Sequence, residues 1–130
     1  MDETAEDTET VIFHNPRCSK SRGAFTILEE AGEEFRTVRY LDDPPDRATL
    51  ERILDAVGGD PSELVRRDDR YRELGLADRE PLDRDTVIEV LLGNPELLQR
   101  PVVLRGGRGV IARPPEKVAD LFRTAEVSDG

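Results

Sequence analysis

The stretch His14-Asn15-Pro16-Arg17-Cys18-Ser19-Lys20-Ser21-Arg22 constrains this chain more than any other, because it holds the only cysteine and the only histidine present. A short apolar run, Val11-Ile12-Phe13, leads into it, and an amphipathic segment, Ala24 to Ala31, follows. A β-prone run, a proline turn and a helical repeat in that order predict strand, turn and helix, with Cys18 at the helix N-terminus. The first N–H groups of a helix lack intrahelical partners and carry partial positive charge. A thiol at that position is pushed toward thiolate, and Arg17, Lys20 and Arg22 are expected to push the same way. The same open N–H groups offer a seat for an oxyanion. A free cysteine also serves elsewhere as a small apolar filler. Three cations in a proline-containing turn argue against that use here. His14 is either a capping or loop residue, or one that tunes the thiol.

The remaining pattern alternates strands and helices. Thr10 to Phe13 is a first strand, apolar enough to be buried on both faces. Ser21 to Gly32 reads as a helix with Phe25 and Leu28 facing inward and Gly32 as its stop. Phe35 to Tyr40 alternates as a second strand. Asp46 caps a helix over Arg47 to Val57, in which Leu50, Ile53, Leu54 and Val57 recur at helical spacing, and Gly58-Gly59 ends it. Asp60-Pro61 starts a short helix over Ser62 to Arg67. An irregular connection to Leu76 follows, then a helix opened by Leu82-Asp83-Arg84-Asp85 with Val87, Ile88, Leu91 and Leu92 as its stripe. Glu96 to Gln99 is one more turn. Pro101 stands just ahead of strand Val102 to Leu104, where proline is tolerated. The glycine turn Arg105-Gly106-Gly107-Arg108 predicts a hairpin into strand Gly109 to Ala112. Arg113-Pro114-Pro115-Glu116 opens a last helix with Val118, Leu121 and Phe122 inward.

This order, β-α-β, helical insert, β-β-α, predicts an α/β domain: a four-stranded mixed sheet flanked by helices, with the insert between strands 2 and 3. Strands 1 and 2, joined by a helix, are expected to be parallel, and the glycine hairpin antiparallel. The domain is expected to span residues 10–123. Residues 1–9 read as a disordered acidic tail and residues 124–130 as a frayed C-terminus.

Composition narrows the function. At 130 residues with a formal net charge of −10, the chain is a poor partner for nucleic-acid backbones and anionic membranes. No apolar run reaches membrane length. The acidic N-terminus lacks the basic and apolar regions of a secretory signal, and one cysteine makes no internal disulfide, so a reducing cytoplasm is the expected location. A monomer is the default. No metal-ligand pattern stands out.

A thiol between strand 1 and helix 1, with a proline ahead of strand 3, describes a thioredoxin-like fold. At these residues the chain resembles the arsenate reductase family of that fold, the type that works with glutathione and glutaredoxin. The pattern His-x3-Cys-x3-Arg is present as His14, Cys18 and Arg22. The blocks Leu41-Asp42-Asp43-Pro44-Pro45, Leu74-Gly75-Leu76, Arg100-Pro101-Val102-Val103 and Ala112-Arg113-Pro114 follow in family order, so the resemblance covers Thr10 to Phe122.

The resemblance implies the following roles. Cys18 is the catalytic cysteine. Arg66, Arg100 and Arg113 hold the oxyanion, with Arg67 left open as a register alternative to Arg66. Pro101 is the cis-proline, and His14 and Arg22 tune the thiol. Arsenate is the substrate and would be reduced to arsenite through a Cys18–arsenic adduct. No cofactor is bound; glutathione or another low-molecular-weight thiol is the co-substrate, and a glutaredoxin-like reductant completes the cycle. Arginine chemistry fits these roles, because a planar fork of donors binds tetrahedral oxyanions in pairs. Ser21 stands where many thioredoxin-like proteins carry a second cysteine, so the resolving thiol must come from outside. Two other uses of the fold compete: a general thiol oxidoreductase, and an Spx-like regulator that binds RNA polymerase. Spx-like regulators rely on a two-cysteine switch, which Ser21 removes.

Overall fold

The computed structural model describes residues 9–122. The expected disordered stretch up to residue 8 and the expected frayed stretch 124–130 lie outside the described residues. Glu9 is described: its carbonyl accepts from the Gly106 N–H, and its carboxylate pairs with Arg36 at 3.1 Å.

The sheet contains β1 (Thr10–His14), β2 (Arg36–Arg39), β3 (Val102–Arg105) and β4 (Arg108–Ile111) in the order β2-β1-β3-β4. β1 runs parallel to β2 and antiparallel to β3, and β3 pairs with β4 as a hairpin. This is the mixed sheet that the element order predicts. The helices are α1 (Ser19–Glu30), α2 (Arg47–Val57), α3 (Asp69–Glu73) and α4 (Arg84–Gly93), with short 3-10 turns at Pro61–Leu64, Leu76–Arg79, Pro95–Leu97 and Pro115–Ala119.

Side chains alternate across the central strands, and two cores result. Val11, Phe13, Val102 and Leu104 face the insert and pack with Leu50, Ile53, Ile88 and Leu91. Ile12 and Val103 face the other way and pack with Ala24 and Leu28 of α1 and with Val118 and Leu121. Every residue of β1 is buried, as a strand sandwiched between two layers must be. Each fully buried Leu or Ile contributes about 1.5–3 kcal/mol relative to exposure. The close approach of α2 to β4 depends on Gly109, where a Cβ would fall 2.6 Å from Leu104 Cδ2 and 3.2 Å from Ala56 Cβ.

Three of the local boundaries that depart from the sequence reading have an identifiable cause. α1 begins at Ser19 rather than Ser21, because the turn closes early: the Asn15 side chain accepts from the Arg17 N–H and the Asn15 carbonyl from the Cys18 N–H. The expected helix over Ser62 to Arg67 stops at Leu64. Val65 is instead drawn into an antiparallel bridge with Leu98, flanked by hydrogen bonds from Arg66 N–H to Leu97 and from Gln99 N–H to Leu64. The last helix opens as a 3-10 turn, since Pro114 and Pro115 supply no N–H and the turn closes from Lys117 N–H to the Pro114 carbonyl. Asp46, Asp60 and Asp83 cap the following elements with their side chains, and Gly58 ends α2 at a positive φ of 70°.

Among the described residues no helix is long and apolar enough to cross a membrane, and no cluster of three or more His, Cys, Asp or Glu side chains is placed to hold a metal ion.

Candidate active site

Cys18 is the N-cap of α1, in an extended conformation, with its side chain partly exposed and making no cap hydrogen bond to the helix. The sulfur therefore stands over the open helix end and remains reachable. Burial alone would push the thiol up. The backbone N–H of Ser21, the Arg100 guanidinium and the backbone N–H of Lys20 outweigh it and hold the thiol below its ordinary value. The expected thiolate is thus favoured, but chiefly by backbone donors and by one arginine far along the chain. Arg17 and Lys20 are exposed, and Lys20 acts through its backbone N–H.

Arg22 has a different task. Its Nη1 donates to the Pro16 carbonyl at 2.9 Å, which latches the turn to the first turn of α1, and its charge acts on His14. His14 is buried, stacks on Phe25 with ring centroids 5.0 Å apart, and lies with Nδ1 2.6 Å from Ser21 Oγ. Ser21 is fully buried, and its Oγ also accepts from the Asn15 N–H at 3.0 Å. Burial, then the charges of Arg39 and Arg22, push the His14 imidazole down, so the ring is neutral near pH 7. His14 and Ser21 together fix the turn that carries Cys18.

The Arg100–Pro101 and Arg113–Pro114 bonds are both cis. The Arg100 guanidinium is near enough to Cys18 to help lower its thiol. Its Nη1 donates to the Glu96 carbonyl at 3.4 Å, whereas its Nε is buried without a hydrogen-bond partner. Arg113 Nη1 donates to the Arg100 carbonyl at 2.7 Å. Arg66 pairs with Asp68 at 3.0 Å and is half-buried, on the segment that the Val65–Leu98 bridge ties to the one carrying Arg100. Its register neighbour Arg67 is committed elsewhere, to Glu80 at 3.0 Å. Tyr40 completes the neighbourhood. Its ring is buried, and Arg100, Asn15 and the charge of Arg66 all border its hydroxyl.

Arg100 thus acts on the Cys18 thiol, Arg113 holds the backbone of Arg100, and the charges of Arg100 and Arg66 both act on the Tyr40 hydroxyl. A small tetrahedral anion is the ligand such a set suits: guanidinium groups for its charge, open helix N–H groups for its oxygens and a nucleophilic sulfur beneath.

Residues 13–121 match the ArsC family. The chain belongs to that family. Among its ArsC-type relatives is an arsenate reductase of Neisseria meningitidis serogroup A, 45% identical over 112 residues, which cover 85% of this chain and 95% of that protein. Another is the uncharacterized protein YfgD of Escherichia coli strain K12, 44% identical over 112 residues, 85% of this chain and 93% of that one. Among solved structures, an arsenate reductase from Vibrio cholerae superposes with a TM-score of 0.80 at 32% identity, covering 87% of this chain and 97% of the other. The family's four-stranded thioredoxin-like fold is the one observed here.

Sequence reasoning missed Tyr40 as a member of the site. It was read as a strand residue, and only the parallel register, His14 against Arg39, brings the residue after Arg39 abreast of Asn15.

Proposed function

We propose that this chain reduces arsenate to arsenite by thiol chemistry at Cys18. The thiolate attacks arsenic, an As–S bond forms, and one oxygen leaves as water after taking up a proton. An external thiol, glutathione or another low-molecular-weight thiol, attacks arsenic in the adduct and displaces a second oxygen as water. A glutaredoxin-like thiol then attacks that external sulfur, whose bond to arsenic breaks and leaves its electron pair on arsenic. Water finally displaces Cys18 from arsenic, releasing arsenite and the free thiol. The two external sulfurs end as one disulfide and their two electrons take arsenic from the pentavalent to the trivalent state. Overall, arsenic acid and two thiols yield arsenous acid, one disulfide and water.

The observation that carries this reading is the pairing of a partly exposed, low-pKa Cys18 with the Arg100 guanidinium in a chain that has no second cysteine. A thiolate alone repels an approaching dianion. Arg100 at the sulfur, with Arg66 and Arg113 close by, offsets that repulsion. In this proposal Cys18 is the nucleophile and the three arginines hold the oxyanion. His14, Ser21 and Arg22 position the turn, and Pro101 fixes the backbone beside Arg100. The protein acts as a cytoplasmic monomer.

The test is arsenate-dependent NADPH oxidation by the full chain, coupled through glutathione, glutaredoxin and glutathione reductase. The expected result is turnover by the wild type that Cys18→Ser abolishes. Turnover retained in Cys18→Ser removes that sulfur from the mechanism. Absence of arsenate turnover in the wild type, with glutathione-dependent reduction of small disulfides, favours a general thiol oxidoreductase instead.

A further inference from the structure

Tyr40 has no solvent exposure, and its ring packs in the larger core. Its hydroxyl nevertheless makes no hydrogen bond within the protein. A buried hydroxyl without a partner costs stability, and native structures rarely retain one without a use. The other side-chain atom in this condition among the described residues is Arg100 Nε. The two orphans belong to one place. Arg100 and Asn15 are near enough to act on the Tyr40 hydroxyl without completing a hydrogen bond to it, and Arg100 also acts on the Cys18 thiol. The sheet explains the placement. β1 and β2 run parallel with His14 opposite Arg39, so the next residues, Asn15 and Tyr40, leave the sheet side by side where the reactive turn begins.

We propose that the Tyr40 hydroxyl, with Arg100 Nε, donates a hydrogen bond to an oxygen of the tetrahedral oxyanion bound at Cys18, and so is a substrate-contacting residue; this rests on the oxyanion chemistry proposed above. The phenol suits the task. Burial raises its pKa, so it keeps its proton and remains a donor throughout the neutral range. The surrounding guanidinium groups supply charge, and a neutral O–H held rigidly by its ring adds direction. A donor without charge also holds the less highly charged product less tightly than a further arginine would.

The test uses the full chain carrying Cys18→Ser, which cannot turn over, titrated with arsenate and separately with phosphate by calorimetry, with and without Tyr40→Phe. The expected result is oxyanion affinity about tenfold or more weaker in the Tyr40→Phe protein, the size of one hydrogen bond to an ion. Its thermal midpoint should equal or exceed that of the parent, because an orphan hydroxyl is gone. In the chain with Cys18 intact, Tyr40→Phe should lower kcat/KM for arsenate by a similar factor and leave the pH profile of Cys18 alkylation unmoved, which separates substrate contact from tuning of the thiol. An independent arm needs no change at Tyr40. The chain has two tyrosines and no tryptophan, so its near-ultraviolet spectrum on the long-wavelength side of the phenylalanine bands reports Tyr40 and Tyr71. Oxyanion binding to the Cys18→Ser protein should change that spectrum saturably. No binding, equal binding after Tyr40→Phe, or a silent spectrum overturns the assignment. Failure of arsenate turnover with these binding results intact would instead count against the reductase reading alone.

Discussion

Arg113 Nη1 donates to the backbone carbonyl of Arg100 at 2.7 Å, joining two arginines thirteen positions apart in sequence, each directly followed by a cis proline. The bond engages one donor of a five-donor fork and leaves the others free to turn toward an anion at Cys18. It also predicts that lysine is a poor replacement. An ammonium is a compact point charge on a flexible stem and lacks the planar fork that reaches the carbonyl and the anion in fixed directions. Arg113→Lys and Arg113→Ala are both expected to lower kcat/KM for arsenate by about tenfold to a hundredfold, the loss of roughly 1.5–3 kcal/mol for a hydrogen bond to a charged group. Alanine should cost more. Steady-state kinetics of the two variants, beside their thermal midpoints, checks this; full activity in Arg113→Ala would place the substrate elsewhere.

The thiol of Cys18 sits below its ordinary value because helix-end N–H groups and Arg100 together outweigh burial. The rate of alkylation by iodoacetamide follows the thiolate, so it should fall as pH drops through that lowered pKa and hold a plateau above it. An unperturbed cysteine has its midpoint near pKa 8.5, and the midpoint here should lie lower. Arg100→Ala removes both the charge and the donor at the sulfur, so the midpoint should move upward. Arg17→Ala should leave it in place, since the groups that lower the thiol are the backbone N–H groups of Ser21 and Lys20 and the Arg100 guanidinium. A midpoint that follows Arg17 and ignores Arg100 would contradict the geometry.

The fold was legible where local chemistry and global packing agree. Val11-Ile12-Phe13, the Asp46 cap with its Leu50 and Ile53 stripe, and the Gly106-Gly107 hairpin each carry a signal that no tertiary contact overrides. Arg66 and Arg67 were harder to separate, because adjacent residues look alike until something fixes their register. The Val65–Leu98 bridge does so, and pairing between residues so distant leaves no local mark. Adjacency in sequence singles out Arg17, Lys20 and Arg22 at Cys18, whereas the thiol is lowered by the backbone N–H of Ser21, by Arg100 brought across by the fold, and by the backbone N–H of Lys20, and a distant residue such as Arg100 leaves no local mark. Tyr40 was invisible as a site residue because its role depends on a strand register and on an unpaired hydroxyl, neither of which a sequence displays.

His14 gives a pH signature in stability. Burial, then Arg39 and Arg22, hold its pKa below that of a free histidine, which titrates near pKa 6.5. As pH falls below about 6.5, the unfolded chain takes up a proton that the native state declines, so stability falls and goes on falling until the native pKa is passed. Urea midpoints between pH 8 and 5 should therefore drop more steeply for the wild type than for His14→Gln, which has no ring to protonate. Superimposable curves would mean that His14 titrates alike in both states.

Gly109 lies far from Cys18 and tests the architecture alone. A Cβ there would come 2.6 Å from Leu104 Cδ2, 3.2 Å from Ala56 Cβ and 3.3 Å from the Val103 carbonyl oxygen. Leu104 is buried, while Ala56 belongs to α2 and Val103 to β3, so relief requires the Leu104 side chain to move and both α2 and the Val103 carbonyl to give way. Gly109→Ala is accordingly expected to destabilise the fold by about 1–3 kcal/mol, the usual cost of overpacking a filled core, even though alanine restricts the unfolded chain and would otherwise help. Denaturant unfolding should show a lower midpoint with an unchanged slope. Trimming the obstruction with Leu104→Ala in the same chain should make the Gly109→Ala penalty smaller than it is in the wild type, because the two side chains compete for one space. A double-mutant cycle with no coupling between positions 104 and 109 would show that the Leu104 side chain does not lie over Gly109 as described.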